Sequence, residues 1–230
     1  METVRLMGED VNAESAGKRI YRSPVRATQA AATRRAVLDA ARDLFTAKGY
    51  LTTTVAAIAE RAGVSVDTVY AAVGRKPALM RELVETSISG RDTAVPAEQR
   101  DYVLAIRAAA TAGDKLTLYA QSIADIQERL GPVFLALRDA AVTDTGCAAL
   151  WREIADRRAA NMLLFAADLR STGQLRGDLT DQQVADIVWS MNASEYWALI
   201  VNQRGWTSSQ FATWLADAWQ RLLLDNDLPA

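Results

Sequence analysis

Helical periodicity is the feature that most constrains how this 230-residue chain can fold. From Thr33 onward, apolar residues recur at spacings close to 3.6, and no stretch alternates polar and apolar residues for long enough to form a strand. One face of the first such segment carries Val37, Leu38, Ala41, Leu44 and Phe45. The sequence therefore predicts an all-α protein of about nine or ten helices.

Glycine and proline residues indicate where these helices begin and end. Gly49, Gly63 and Gly74 close three short segments, and Pro77 suits the first turn of a fourth helix. Gly131-Pro132 predicts a break in the second half of the chain. Beyond Pro96 the predicted helices cover roughly 98–111, 114–130, 132–142, 146–171, 180–202 and 208–224.

Residue usage excludes several classes of function. The chain has no histidine and one cysteine, Cys147. It therefore lacks the commonest general base, most zinc ligand sets and any internal disulfide. We predict no catalytic residue, no metal and no cofactor. No stretch approaches the 18 or more apolar residues of a membrane span and no secretory signal is evident, so we expect a cytoplasmic protein with no membrane partner.

Charge is distributed unevenly along the chain. Residues 18–81 contain twelve basic and four acidic residues, a net charge of +8, so the remainder carries −10 of the total of −2. A basic segment joined to an acidic remainder is typical of a polyanion-binding module. Residues 1–32 show no clean periodicity, and we predict a mobile arm whose second half is basic.

The stretch from Thr53 to Val73 has the anatomy of a helix-turn-helix. Threonines precede a short helix, Gly63 makes the turn, and Ser65 begins a second short helix over 66–72. Apolar residues would lock the pair together: Ile58, Ala59, Val64 and Val69. The outer face of the second helix is then free to enter a DNA major groove.

Residues 33–80 resemble the DNA-binding domain of TetR-family transcriptional regulators. The matching residues are Ala40-Ala41, Leu44-Phe45, Gly49-Tyr50, Thr53-Thr54-Val55, Ile58-Ala59, Ala62-Gly63-Val64-Ser65, Thr68, Tyr70, Lys76 and Leu79. The resemblance implies a three-helix DNA-binding domain over 33–76 and a helical effector and dimerisation domain over 77–230. The later helices resemble the family only in their helical character and length.

The resemblance also implies which residues contact DNA. Thr54 would lie against a phosphate, Thr68 and Tyr70 would contact phosphate or base edges, and Lys76 would pair with the backbone. The alternatives are that Thr54 is only a helix cap, that Tyr70 only packs the domain, and that Lys76 is an ordinary surface lysine. The full set of candidate DNA-binding residues is Thr54, Ser65, Val66, Asp67, Thr68, Tyr70, Ala71 and Lys76.

The predicted recognition helix departs from a typical base-reading surface. Residues 66–72 contain no Arg, Lys, Asn or Gln, the side chains that make bidentate contacts with guanine or adenine. Asp67 can accept from a cytosine amino group, and Val66, Thr68 or Ala71 can contact thymine methyl groups. We therefore expect reliance on phosphate contacts and DNA shape. Arg19, Arg22 and Arg26 could enter a minor groove, the alternative being that this arm is simply disordered.

The last two predicted helices, 180–202 and 208–224, carry more apolar surface than one core face needs. Phe211, Trp214, Leu215, Ala218, Trp219, Leu222 and Leu223 share one face of the final helix. The resemblance implies a homodimer through a four-helix bundle of these helices, and the alternative is a role in the core alone. A two-fold dimer would space its recognition helices roughly 34–36 Å apart and bind a palindrome.

The middle helices are predicted to enclose a small-molecule cavity. The candidate ligand-binding residues are Tyr119, Trp151, Arg158, Asn161, Met162, Phe165, Asn192 and Glu195. Further candidates are Ile123, Ile126, Gln127, Phe134, Ile154 and Met191, each of which could equally be core. Ligand binding would favour a dimer with its recognition helices moved apart, through the helix from Pro77 to about Ser89.

The function that the sequence predicts is a TetR-like regulator, a repressor released from its palindromic operator by a small-molecule effector. Three alternatives stay open. The first is a DNA-binding regulator that acts constitutively or as an activator without a ligand. The second is a helical interaction protein that has lost DNA binding, against which Thr54, Thr68, Tyr70 and Lys76 argue. The third is a helical-bundle enzyme, for which no convergent catalytic residues are found.

Overall fold

The computed structural model describes residues 24–225, and the regular structure in this part of the chain is helical apart from one isolated antiparallel bridge between Leu175 and Leu224. The four N-terminal helices are α1 (Pro24–Lys48), α2 (Val55–Ala62), α3 (Val66–Ala72) and α4 (Lys76–Ser89). The later helices are α5 (Asp101–Ala108), α6 (Ala112–Ala141), α7 (Thr145–Arg170), α8 (Asp181–Met191), α9 (Ser194–Trp197) and α10 (Ser208–Leu223). The all-α prediction is confirmed.

Helix α1 begins at Pro24, nine residues before the start that periodicity predicted. Residues 25–32 are exposed, so this part of the helix has no buried apolar face from which a helix could be recognised in the sequence. Its alanines favour the helix by intrinsic propensity instead. Arg26 is therefore helical, whereas the rest of the predicted arm, residues 1–23 with Arg19 and Arg22, lies outside the described residues.

The predicted break at Gly131-Pro132 is wrong, because α6 continues through it. A proline inside a helix removes one backbone hydrogen bond and strains the preceding turn. Here the disturbed turn gains an outside donor, since Nη1 of Arg42 donates to the carbonyl oxygen of Arg129 at 2.9 Å. Packing against α1, α4, α7 and α10 holds the two halves of α6 in one helix.

The predicted single helix over 180–202 is also wrong. Helix α8 ends at Met191, α9 begins at Ser194, and Ala198–Gln203 forms a π-helical segment. At the break, the backbone carbonyl of Asn192 accepts a hydrogen bond from Nε2 of Gln127 at 2.8 Å. The break therefore serves a tertiary contact that sequence periodicity does not record.

Two apolar clusters form the core. The first joins the inner faces of α1–α4 to the second half of α6 and the first half of α7, and it includes Phe45, Ile58, Leu83 and Phe134. The second joins the first half of α6 to α8 and α10 around Trp219. Between residues 24 and 225, no helix is long and apolar enough to cross a membrane.

The final helix turns most of its apolar face into the chain's own core. Phe211, Leu215, Trp219 and Leu223 are buried there, which is the core role left open by the sequence. Large apolar side chains nevertheless remain exposed in this part of the chain, at Leu199 (51%), Trp206 (36%) and Leu222 (42%).

Candidate functional site

Helices α2 and α3 are each capped by a side chain that precedes them. Oγ1 of Thr54 accepts from the backbone N–H of Ala57 at 3.1 Å, and Oγ of Ser65 accepts from the N–H of Thr68 at 3.1 Å. Each cap satisfies an N–H group that the helix itself leaves free. The hydroxyls of Ser65 and Thr68 lie 2.8 Å apart, so the start of α3 is held rigidly.

Gly63 makes the turn between the two helices. Its φ of +68° lies in the left-handed region, which favours glycine over residues with a Cβ. The turn is closed by the N–H of Val64, which donates to the carbonyl of Ala59 at 3.0 Å. Ile58, Ala59 and Val69 are buried between the helices, as the sequence predicted.

The predicted DNA-contacting residues lie on the open side of this helix pair. Tyr70 is 46% exposed and Val66 36% exposed, whereas Val69 between them is fully buried. Thr54, Ser65, Asp67 and Ala71 are exposed, and Thr68 and Lys76 are half-buried. The outer face of α3 is therefore accessible, and the role of these residues in DNA binding stays a prediction.

Many basic residues of the N-terminal segment are engaged within the chain. Arg34 pairs with Glu82 at 2.6 Å, Arg61 with Asp43, and Arg81 with Glu153. Lys48 and Arg75 are exposed, and their side chains make no hydrogen bond or ion pair within residues 24–225. Both residues contribute to the net charge of residues 18–81, but neither was among the predicted DNA-binding residues. Their closeness to Gly49 and Lys76 in the sequence is the signal that could have found them.

Lys76 lies beside the junction between the N-terminal helices and α7. Its Nζ is 4.1 Å from the centre of the Tyr50 ring, and burial lowers the pKa of Lys76. Burial also raises the pKa of Tyr50, whose hydroxyl meets the thiol of Cys147. The thiol's own pKa is raised by burial from 9.0 to about 11. The junction therefore holds neutral tyrosine and thiol groups behind a lysine at its edge.

Helix α4 is fixed to the later helices by charged contacts. Nη2 of Arg81 lies 2.7 Å from Glu153 on α7, and Arg157 of α7 lies 2.6 Å from Glu85. On the opposite side, Arg129 of α6 donates to the carbonyl of Ser87 at 3.1 Å. A movement of α6 or α7 would therefore displace α4, the helix that begins next to Lys76.

A cavity of about 540 Å³ lies among α5, α6, α7 and the end of α8. Six of the eight predicted ligand-binding residues line it: Tyr119, Arg158, Asn161, Met162, Phe165 and Asn192. Ile123, Ile126, Gln127 and Ile154 from the wider set line it as well. The end of α4 reaches it through Ile88.

Four predicted residues are not brought to this cavity. Trp151 packs on Phe134 instead, with ring centres 4.5 Å apart, because both belong to the core beside α1–α4. Met191 packs against the α8 and α10 core, and Glu195 is half-buried outside the cavity wall. Helix α5 also lines the cavity, through residues that were not predicted from the sequence: Tyr102, Val103, Ile106 and Arg107. The i, i+1, i+4 spacing of Tyr102, Val103 and Ile106 was the available signal.

Asn192 is the centre of a buried polar network beside the cavity. Its Nδ2 donates to the hydroxyl of Tyr119 at 3.0 Å, and its Oδ1 accepts from Nη2 of Arg158. Oγ of Ser194 donates to Oε1 of Gln127 at 2.8 Å, which extends the network. Burial raises the pKa of Tyr119 and lowers the pKa of Arg158.

A capped helix pair with an accessible second helix, joined to further helices that enclose a cavity, is the architecture of a helix-turn-helix domain followed by a helical domain. Residues 37–83 match the family model described as bacterial regulatory proteins, tetR family. This N-terminal segment is therefore similar to the DNA-binding domain of the TetR family.

Solved structures share the fold along most of their length. A transcriptional regulator FadR from Bacillus subtilis in complex with stearoyl-CoA is 17% identical, covers 80% of this chain and 96% of its own, and has a TM-score of 0.65. A protein assigned as a transcriptional regulator from Saccharomonospora viridis, in complex with choline, is 16% identical, covers 84% of this chain and 98% of its own, and has a TM-score of 0.62. A protein assigned to the TetR family from Mesorhizobium loti is 21% identical, covers 86% of this chain and 99% of its own, and has a TM-score of 0.62. No curated protein sequence matches this chain at a significant level.

Proposed function

We propose that this protein is a repressor that binds a palindromic operator as a homodimer and is released by a small molecule in the α5–α8 cavity. Residues 33–76 would bind DNA, and residues 77–230 would bind the effector and form the dimer. The observation that carries the proposal is the accessibility of α3: Val69 anchors the helix, while Val66 and Tyr70 face outward. As a DNA-binding regulator it would act in the cytoplasm.

The DNA contacts follow from the ends of the helices. The N-terminus of α2, with the Thr54 hydroxyl, presents donors suited to a phosphate. Lys76 and the exposed side chains of Lys48 and Arg75 supply positive charge on the same domain. Ser65, Thr68 and Tyr70 add hydroxyl groups at α3. Most of these contacts would position the protein on the duplex without identifying a base.

Base-specific contacts would be few. Asp67 is the exposed hydrogen-bonding side chain of α3 that can accept from cytosine, and Val66 and Ala71 can contact thymine methyl groups. Specificity would therefore depend in part on the sequence-dependent shape of the operator.

Dimerisation would use the segments 180–202 and 208–224. Leu199 and Leu222 are large apolar residues of these segments that the single chain leaves exposed. Soluble proteins tend to cover such surface, and a second copy would do so with two-fold symmetry. Two α3 helices would then meet successive major grooves, roughly 34–36 Å apart.

Release by a ligand is supported by the way the cavity touches α4. Ile88 at one end of α4 lines the cavity, and Lys76 begins the other end. A ligand that favours one position of α4 would change the separation of the two α3 helices. Two of the structurally similar regulators hold small molecules, choline and stearoyl-CoA.

Selection of bound duplexes from a random pool tests the proposal. We expect a palindrome with half-sites about one helical turn apart, and sedimentation of the complex as two chains per duplex. In transcription from a promoter that contains the palindrome, the protein should lower the yield of RNA. A rise in RNA would favour the activating alternative, and a failure to enrich any sequence would contradict DNA recognition.

Charge variants provide the control. Arg75→Gln should weaken binding and reduce the dependence of log affinity on log salt concentration by about one unit. Arg204→Gln is the matched control, because Arg204 is exposed but belongs to the segment between α9 and α10. Equal effects of the two variants would contradict a contact by Arg75.

A further inference from the structure

The guanidinium of Arg158 lines the cavity and is bound by neutral oxygens. Its Nη2 donates to the carbonyl of Trp189 at 3.0 Å and to Oδ1 of Asn192. Within residues 24–225, no carboxylate lies within the 4.0 Å that defines an ion pair with it. Glu195 attracts Arg158 only from beyond that distance, and the guanidinium lies 5.0 Å from the centre of the Trp189 ring. A largely buried cation without a directly paired carboxylate is costly, so this wall of the cavity is complementary to an anion.

Donors of this wall remain free to bind a ligand. Arginine has five N–H donors, and both bonds of Arg158 to the chain come from Nη2. Asn161 lies three residues further along α7, on the same side of the helix, and also lines the cavity. Its side chain makes no hydrogen bond within the described residues. Nε and Nη1 of Arg158 and the amide of Asn161 are therefore donors that make no hydrogen bond within the described residues.

The other charges at the cavity wall do not cancel that of Arg158. Arg100 and Arg157 share one carboxylate, Glu85, at 3.9 and 2.6 Å. Asp168 is neutralised by Lys115 at 2.9 Å. The wall therefore carries an excess of positive charge, in contrast to the acidic balance of the whole chain.

The rest of the cavity suits an apolar body. Ile106, Ile123 and Met162 contribute aliphatic surface, and Phe165 meets Tyr119 edge to face with ring centres 4.9 Å apart. The volume of about 540 Å³ lies within the roughly 300–1,000 Å³ typical of small-molecule sites. Leu164 lines the cavity and is 66% exposed, which opens it to solvent on the α7 side.

We propose that the ligand of this cavity is an amphipathic organic anion: a carboxylic acid with an aliphatic or aromatic body, whose carboxylate is bound by Arg158 and Asn161. The inference rests on the proposed function only in making this ligand the effector, since binding itself requires no DNA. A cationic ligand is disfavoured because it would meet the guanidinium of Arg158, which makes no direct ion pair within the described residues.

The test uses the full-length protein without DNA and two sets of matched probes. The first set is octanoate, octan-1-ol and octylammonium; the second is naphthalene-2-carboxylate and its carboxamide. Calorimetric titration should show at least one carboxylate binding about 10- to 100-fold more tightly than its neutral partner, the range expected for charge-assisted hydrogen bonds. No preference for either carboxylate, or tighter binding of octylammonium, would overturn the proposal.

Variants of α7 assign the preference to Arg158. Arg158→Gln should remove the preference for the carboxylate by about tenfold or more while the neutral partner still binds within about twofold, which shows that the cavity is intact. Arg158→Lys keeps the charge and should retain part of the preference. Arg152→Gln is the matched control, because Arg152 is exposed on the same helix and outside the cavity. An unchanged preference in Arg158→Gln would overturn the assignment.

The two proposals fail in different ways. A recovered palindrome with no carboxylate preference would overturn the inference about the ligand and leave the proposed function standing. Carboxylate binding without any enriched DNA sequence would do the reverse.

Discussion

The two functional regions of this molecule hold their polar side chains in opposite ways. In α2 and α3, Thr54 and Ser65 cap helices at the surface, and the inside of the pair is apolar. Beside the cavity, Gln127, Asn192 and Ser194 are buried and bonded to one another. Exposed polar groups exchange one partner for water at little cost, whereas buried ones lose a hydrogen bond that nothing replaces.

This difference separates stability from recognition in the first region and couples them in the second. A substitution on the outer face of α3 should change DNA binding and leave folding intact. A substitution in the Asn192 network should change folding and ligand binding together.

Cys147 lies where the two regions meet and should behave as a buried group. Because burial raises the pKa of its thiol from 9.0 to about 11, the thiolate fraction near neutral pH falls about 100-fold. Alkylation by iodoacetamide should be slower by about that factor in the native protein than in guanidinium chloride. A native rate within about threefold of the unfolded rate would contradict a closed junction.

The same pKa fixes the direction of a pH effect on stability. The folded chain favours the protonated thiol, so this contribution to the free energy of unfolding is complete below about pH 9 and is lost as the pH rises towards 11. The free energy of unfolding of Cys147→Ala, measured by urea titration, should therefore decline less steeply between about pH 9 and pH 11. Tyr50, whose pKa burial also raises, should retain part of the decline.

Asn192→Ala should lower the free energy of unfolding by about 2–3 kcal/mol, because it removes the buried hydrogen bonds of Asn192 to Tyr119 and Arg158. Urea denaturation at fixed protein concentration measures the change. Asn202→Ala is the control: Asn202 is exposed, and its loss should cost no more than about 0.5 kcal/mol. Equal costs would remove the contrast between the regions.

Tyr70→Ala should reduce operator affinity about tenfold, the equivalent of one lost hydrogen bond with its contact surface. Because Tyr70 is exposed, the free energy of unfolding should change by no more than about 0.5 kcal/mol. Fluorescence anisotropy of labelled operator and urea denaturation give the two values. A large loss of stability would indicate that Tyr70 packs the domain, the alternative left open by the sequence.

Thr54→Ala and Thr180→Ala compare helix caps in the two regions. Each threonine accepts a hydrogen bond from an N–H of the helix it precedes, at 3.1 and 3.3 Å, so each variant should lose about 1 kcal/mol of stability. Only Thr54→Ala should also weaken DNA binding. Parallel weakening by both variants would attribute the effect to folding rather than to a phosphate contact.

The helix-turn-helix could be predicted because its determinants are local. Thr54 and Ser65 each cap a helix by accepting a hydrogen bond from the backbone N–H three residues further along the chain. Gly63 adopts the left-handed backbone conformation that the turn requires. The breaks in the later helices are not local. Helix α6 passes Pro132 in contact with Arg42 from α1, and α8 stops where Asn192 meets Gln127.

The candidate sites were predictable in part for the same reason. Asn161, Asn192 and Glu195 could be chosen because each is polar on an otherwise apolar helix, and the first two line the cavity whereas Glu195 does not. Trp151 is an aromatic residue of the kind that often contacts ligands, but it packs against the apolar core beside α1–α4 instead of the cavity. The charge excess of residues 18–81 overstated the free charge, since Arg34 and Arg81 pair with carboxylates beyond that segment.

The composition of α3 has a consequence at the scale of a genome. A helix with one carboxylate and small apolar side chains on its outer face discriminates fewer bases, and each undiscriminated base pair forfeits about 1–3 kcal/mol of selectivity. Among the roughly 10⁶–10⁹ competing sites of a chromosome, such a dimer would occupy a family of degenerate sequences, with the number of controlled promoters set by its cellular copy number.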